Sequence, residues 1–291
     1  MDNFNKLKKL FFRLGLIGTM IIVTSFSFTN SPIYPASALF MPSSNTALFL
    51  PLFEPIVSNH LAISPLDIVW EMIGKVNIDR AQQDLKQLTG EIPLCINAGC
   101  YTVTNRLTGS EGLSWAKAYV YSEISKLNFS VTIQDWTRGG YTDQNIIAQK
   151  PGVVYPNEKI YFVAHLDGVK SGSSNFPAAD DNGSGVVDIL ELARVLSNYP
   201  LMRTVVLLIS TGEEEGTLGV QSYLSQLSPG ELSAIKKVVN IDMVGYDGNQ
   251  DKVMELWHGG HSPSIDLTHQ MSETIHAYIL NLLPGYVVGC G

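Results

Sequence analysis

The chain has 291 residues, of which 45% are hydrophobic, with 19 Lys and Arg against 27 Asp and Glu and a formal net charge of −8. That is enough apolar material to bury the core of one large domain. No basic stripe interrupts the acidic balance, which argues against nucleic acid as a partner.

Residues 1–38 read as an export signal. Lys6, Lys8, Lys9 and Arg13 form a basic start, residues 14–28 are uncharged and mostly apolar, and Ala36-Ser37-Ala38 has the small-residue character of a cleavage site. The apolar stretch is short for a membrane span, which needs roughly 20 residues. Left uncleaved it would still anchor the chain, and that is the one membrane association the sequence suggests. The expectation is a secreted or extracytoplasmic protein. Residues 39–75 carry Pro42, Pro51, Pro55 and Pro65 in an otherwise apolar context, a spacing that precludes a long helix. They read as a linker packed on the domain surface, with a propeptide as the alternative. The main domain is expected over 76–291.

Within it, residues 76–88 place Val76, Ile78, Ala81, Leu85 and Leu88 at helical spacing. Cys95 and Cys100 then bracket four residues. In an exported chain two cysteines five apart read as a small disulfide loop, whereas a metal site there lacks neighbouring histidines. Cys290 is left odd. Residues 114–127 read as a helix, with Ala116, Val120, Ile124 and Leu127 on one face. Residues 129–134 and 145–148 read as strands with the turn at Gly139-Gly140. Helices are expected at 186–196 and 217–227, and a last one over 262–283, stopped by Pro284-Gly285.

Three apolar runs in this stretch suit buried strands, at 160–164, 203–209 and 238–243, and each leads into polar chemistry. The first runs into His165, with Asp167 two residues on. After a loop rich in Gly, Ser and Asn comes Ala179-Asp180-Asp181-Asn182-Gly183-Ser184-Gly185. The second empties into Ser210-Thr211-Gly212-Glu213-Glu214-Glu215-Gly216, and the third carries Asp242 near its end. Alternating strands and helices imply an α/β domain, where ligands bind at the carboxyl ends of strands. The residues delivered there are the imidazole and carboxylate ligands of a zinc-like ion, with a carboxylate to spare. Each has a bland alternative. Asp180 and Asp181 could cap the following helix, and Glu213–Glu215 could be a solvated charge run, although three adjacent carboxylates behind a buried strand repel one another without a cation.

The ordered set HLD, ADDNGSG, STGEEEGTLG and NIDMVGY, from about residue 76 onward, resembles peptidase family M28, the co-catalytic zinc aminopeptidases and their relatives. The resemblance implies a three-layer α/β/α fold around a mixed, mostly parallel twisted sheet, and two Zn²⁺ ions. His165 and Asp242 would bind one ion, Asp181 would bridge both, and Glu214 would bind the second. Glu213 would be the general base, and Asp167 would orient the His165 ring through its other N–H. The implied function is a secreted exopeptidase acting on peptide or protein substrates, most naturally an aminopeptidase. Carboxypeptidase and glutaminyl cyclase chemistry, or a non-catalytic binding domain, are the alternatives. The family's last ligand, a His in a Ser-Asp-His segment, has no counterpart here. This implies a domain incomplete at its C-terminus, poorly stable and nearly inactive as it stands; His258, His261, His269 and His276 are the candidates for the missing ligand, none of them in that context.

Overall fold

The computed structural model describes residues 65–169, 176–278 and 282–289. Residues 1–38, which read as an export signal, most of the proline-rich segment and Cys290 lie outside the described residues. Among the described residues no helix is long and apolar enough to cross a membrane.

The chain opens with α1 (Pro65–Gly74) and α2 (Ile78–Leu88). The proline-rich stretch thus ends in a helix: Pro65 sits in its first turn, where its missing N–H has no intrahelical partner to lose, and Val69, Met72 and Ile73 enter the core. The core therefore reaches back into the stretch that reads as a linker. Helix α2 starts two residues later than the apolar spacing suggests, because the Asn77 side chain accepts the Arg80 N–H and caps it. Strands β1 (Leu94–Ile96) and β2 (Gly99–Tyr101) form a small hairpin closed by the Cys95–Cys100 disulfide. Helix α3 (Glu111–Ser125) begins earlier than expected, at the cap supplied by Ser110.

Five strands make the main sheet. They are β3 (Ser130–Arg138), β4 (Tyr141–Lys150), β5 (Tyr155–His165), β6 (Arg203–Ser210) and β7 (Ile235–Asn240), in the order β3-β4-β6-β5-β7. The β3–β4 hairpin turns on Gly139 and Gly140, both at positive φ. β4 runs antiparallel to β6, while β6, β5 and β7 are mutually parallel, so the sheet is mixed.

Alternation in the two central strands builds the layers. Ile160, Phe162 and Ala164 of β5, with Val205, Leu207 and Ile209 of β6, face the larger cluster. Tyr161, Val163, Val206 and Leu208 face a smaller one on the other side. The larger cluster is covered by α2, α3 and α4 (Gly185–Leu196), the last buried along its whole length. The smaller is covered by α5 (Leu218–Gln226), whose Tyr223 hydroxyl meets that of Tyr161 at 2.9 Å. The result is a three-layer α/β/α arrangement. Each fully buried core side chain contributes about 1.5–3 kcal/mol to its cohesion. Arg194 of α4 ties the helical layer together, pairing with Asp84 of α2 and, at 2.9 Å, with Glu123 of α3.

A short α6 (Pro229–Ala234) leads into β7. Beyond it, β8 (Val253–His258) and β9 (Leu283–Val288) form a separate parallel pair, with α7 (Ser262–Ala277) between them in sequence. Helix α7 stops well before Leu283, and that residue begins a strand instead. Pro284 has no N–H for a helix and would clash with the preceding turn, while Tyr286, Val287 and Val288 suit an extended chain.

Candidate metal-binding active site

The register of the central strands assembles the site. His165, the last residue of β5, pairs with Ser210, the last of β6. On the other side Val163 pairs with Asn240, the last of β7, and the Ile241 N–H still reaches the Val163 carbonyl at 2.8 Å. Three parallel strands thus end at one edge, so the residues that follow them meet.

His165 and Asp167 form the floor, at 3% and 0% side-chain exposure, while Asp181 and Asp242 stand at the rim, at 42% and 39%. The His165 Nε2 lies 3.1 Å from an Asp181 oxygen and 3.6 Å from an Asp242 oxygen. Its Nδ1 lies 3.1 Å from the Asp167 main-chain oxygen and 3.7 Å from the carboxylate. The ring is therefore oriented first by the Asp167 carbonyl rather than by its side chain. The Asp167 carboxylate does other work: Oδ2 accepts the Glu214 N–H at 3.1 Å and the Thr108 hydroxyl at 3.3 Å, which locks the glutamate turn against the histidine loop.

The two aspartates before α4 have separate partners. Asp180 Oδ1 accepts the Gly245 N–H at 2.8 Å and the Ser184 hydroxyl at 3.0 Å. Asn182 accepts the Gly185 N–H at 3.0 Å and donates to the Ile241 carbonyl at 2.8 Å. Asn182 thereby serves the start of the helix, Asp180 ties the turn to the segment after Asp242, and Asp181 is left facing His165. The Asp181–Asn182 peptide is cis.

The strand β7 ends at Asn240, earlier than the apolar run implies, and Asp242 lies in the loop beyond it. Met243, at φ 51°, turns the chain away from the sheet immediately afterwards.

The glutamate turn is set from below. Trp136 Nε1 donates to the Thr211 hydroxyl at 3.0 Å, and the Asn145 side chain accepts the Thr211 N–H at 3.1 Å and donates to the Gly219 carbonyl at 2.9 Å. Gly212 has φ +70°, and a Cβ there would fall 2.6 Å from the Trp136 ring, so both space and conformation call for glycine. Glu213 and Glu214 are half-buried in the site, whereas Glu215 is exposed and hydrogen-bonded to the Tyr141 hydroxyl. Sequence reasoning passed over Trp136, Thr108 and Arg106, because no periodicity or motif spacing marks a residue that acts through another.

Among the described residues two overlapping sets of possible ligand atoms result, His165 with Asp181 and Asp242, and His165 with Glu213 and Glu214. Neither contains a second histidine. His258 Nδ1 sits 3.0 Å from the Gly259 carbonyl, His261 precedes α7, His269 packs edge-on to Tyr286, and His276 lies in the last turn of α7.

The residues present fit a divalent cation. Their donor set is imidazole and carboxylate. Among the described residues Glu214 Oε1 and Asp167 Oδ1 are buried with no hydrogen-bond partner, which is costly for a carboxylate unless a cation or donor reaches it. Burial, then the neighbouring Asp181, pushes Glu214 up to about 7. Burial also raises Asp181 and Glu213. For His165 burial opposes the charge, but the Asp167 and Asp242 carboxylates outweigh it and push the ring up to about 10.

These shifts share one sign. Each group holds its proton more tightly in the folded protein than in the unfolded chain, so their contribution to stability falls as pH rises, from about 4.5 to 7 for Glu214 and from about 6.5 to 10 for His165. A bound cation replaces those protons. The gain in melting temperature on adding saturating Zn²⁺ to metal-free protein should therefore be larger at pH 8 than at pH 6. Calorimetry at the two pH values checks this; an equal gain, or a larger one at pH 6, would contradict a ligand role for His165 and Glu214.

Comparison with known proteins agrees with the geometry. Residues 145–284 match the family described as Peptidase family M28. The chain is 34% identical over 143 residues to Leupeptin-inactivating enzyme 1 of Streptomyces exfoliatus, covering 48% of this chain and 32% of that protein. It is 38% identical over 117 residues to Aminopeptidase YwaD of Bacillus subtilis, covering 40% and 24%. It thus spans between 24% and 32% of the length of these two relatives. Among solved structures, the Legionella pneumophila LapA aminopeptidase superposes with a TM-score of 0.61 at 22% identity, over 86% of this chain and 62% of that one, a likeness of fold. The four ordered motifs all lie within the stretch that matches Peptidase family M28, in the segments where the candidate ligand atoms meet, and it is through residues 145–284 that the chain is similar to that family.

Proposed function

We propose that this protein is a zinc-dependent exopeptidase, and specifically an aminopeptidase exported from the cytoplasm. The observation that carries the proposal is the convergence of His165, Asp181, Asp242, Glu213 and Glu214 at three adjacent strand ends, with Glu214 Oε1 buried and unpartnered. The names of the relatives support the substrate class. His165, Asp181, Asp242 and Glu214 would hold two Zn²⁺ ions, with Asp181 between them. When bound, zinc polarises the scissile carbonyl and lowers the pKa of water.

The protein's own residues supply the rest. Asp167 holds the His165 ring through its carbonyl and the Glu214 backbone through its carboxylate, so the two ligand-bearing turns keep one spacing. Glu213, half-buried and held above the usual carboxylate range by burial first and then by its acidic neighbours, accepts the proton of the attacking water. As the water oxygen bonds to the carbonyl carbon and the C–N bond breaks, the Glu213 carboxyl returns a proton to the departing amine.

A panel of aminoacyl p-nitroanilides and their N-acetylated counterparts tests the reading. Zinc-dependent hydrolysis that N-acetylation abolishes is the expected result. Activity confined to C-terminally free blocked peptides, or cyclisation of N-terminal glutamine, would replace the aminopeptidase assignment. Glutaminyl cyclases share the fold, as the Macrostomum lignano enzyme shows at a TM-score of 0.57.

A further inference from the structure

One fully buried cation has no part in the chemistry above. Arg106 has no solvent exposure and lies between the end of α2 and both loops that carry the first ligands. Its Nε donates to the Leu166 carbonyl at 2.7 Å, Nη1 to the Leu88 and Pro177 carbonyls at 2.8 and 2.6 Å, and Nη2 to the Ala178 carbonyl at 2.8 Å. A charge withdrawn from water is unfavourable unless well compensated. Here the compensation is four main-chain carbonyl dipoles and the field of Asp167 and Asp181.

The contacts have a pattern. Leu166 follows His165 directly, and Ala178 precedes Asp181 by three residues. The backbone on either side of Arg106 adds two further ties: its own carbonyl accepts the Gly168 N–H at 3.0 Å, and the Thr104 carbonyl accepts the Phe176 N–H at 3.0 Å. The guanidinium is planar and its donors point in fixed directions, so carbonyls bonded to it cannot shift independently.

We propose that Arg106 is a positioning residue for the metal site: it sets the separation of His165 and Asp181 by fastening the loop after β5 and the turn before α4 to one rigid group. The inference rests on the metallopeptidase reading of that site.

Two effects of removing Arg106 have opposite signs, which makes the proposal testable. Loss of a nearby positive charge, with the ligands unmoved, strengthens cation binding by the carboxylates. Loss of the tether weakens it. The experiment is a chelator-competition titration of Zn²⁺ with the full-length wild-type protein, Arg106→Met and Arg106→Lys, at a temperature where thermal unfolding shows each to be folded. Arg106→Met should bind zinc about 10–100-fold more weakly, the usual effect of losing a group that orients a ligand. Arg106→Lys, which keeps the charge and some donors but not the planar fork, should lose less. Where Arg106→Met does not fold, Arg106→Lys decides alone. Zinc affinity equal to or above wild type in the folded variants, even with a lowered melting temperature, would show a merely structural or electrostatic role and overturn the proposal. A wild-type protein that binds no zinc would instead overturn the metallopeptidase reading, and this inference with it.

Discussion

Glu213→Gln should lower turnover by about 10²–10⁴-fold, the range associated with general acid–base catalysis, and leave zinc content unchanged. Glutamine keeps the volume and the hydrogen-bonding reach of glutamate but cannot accept a proton at the pH of the reaction. The neighbouring Glu214 has different surroundings: its N–H is held by Asp167 and its Oε1 is buried without a partner, which suits a fixed ligand. The Glu213 main-chain carbonyl accepts the Gly216 and Thr217 N–H groups, each at 2.8 Å, but among the described residues its carboxylate has no hydrogen-bond partner and is free to exchange a proton. Glu215→Gln is the control, since that side chain is exposed and bonds the Tyr141 hydroxyl, and it should stay within a few-fold of wild type. Metal analysis together with steady-state rates distinguishes the outcomes. Loss of zinc in Glu213→Gln would make Glu213 a ligand, and loss of activity in Glu215→Gln but not Glu213→Gln would move the base by two residues.

The second large effect separates two adjacent aspartates. Asp181→Asn should weaken zinc binding by more than the 10–100-fold typical of an outer partner and reduce activity to a comparable or greater degree. Its carboxylate faces His165 at 3.1 Å, and a neutral amide cannot supply the charge that the proposed two-ion site asks of it. Asp180→Asn should keep zinc binding within a few-fold, because its amide oxygen can still accept from the Gly245 N–H and the Ser184 hydroxyl that the carboxylate serves now. Its effect should appear as a lowered melting temperature, because these part-buried bonds exchange a charged acceptor, worth about 1.5–3 kcal/mol, for a neutral one worth about 0.5–1.5 kcal/mol. If Asp180→Asn lost zinc and Asp181→Asn retained it, the two residues would have to exchange roles.

Much of this site was legible in the sequence because its parts are local. An apolar run followed at once by His165, or after Ser210-Thr211-Gly212 by Glu213-Glu214, marks a strand end that leads into polar groups, since a strand buried on both faces reads as a near-continuous apolar run. The same locality made the helix at 186–196 and the Gly139-Gly140 turn readable. Segment ends were less so. The 238–243 run looks like one strand by hydropathy, but strand pairing stops at Asn240, beyond which the Ile241 N–H still bonds the Val163 carbonyl before the chain turns away. Leu283, read as the last residue of a helix, belongs to a strand because β8 lies alongside it.

What the sequence alone determined is the inventory: the resemblance to a family, the candidate donor residues, and their order along the chain. What only the tertiary structure decided is the division of labour among neighbours that look alike in one dimension. Asp180 and Asp181 are equivalent as letters, and they differ because a Gly245 N–H approaches one and His165 the other. The carbonyl of Asp167, rather than its carboxylate, is the nearer partner of the His165 ring, because the chain beyond β5 brings the Glu214 and Thr108 donors to that carboxylate. Arg106 shows no signal at all in the sequence, since its role consists of bonds to main-chain carbonyls 18 to 72 residues away. Carbonyl groups are present in every residue, so no side-chain pattern can announce which of them an arginine will meet; only the folded backbone brings them together.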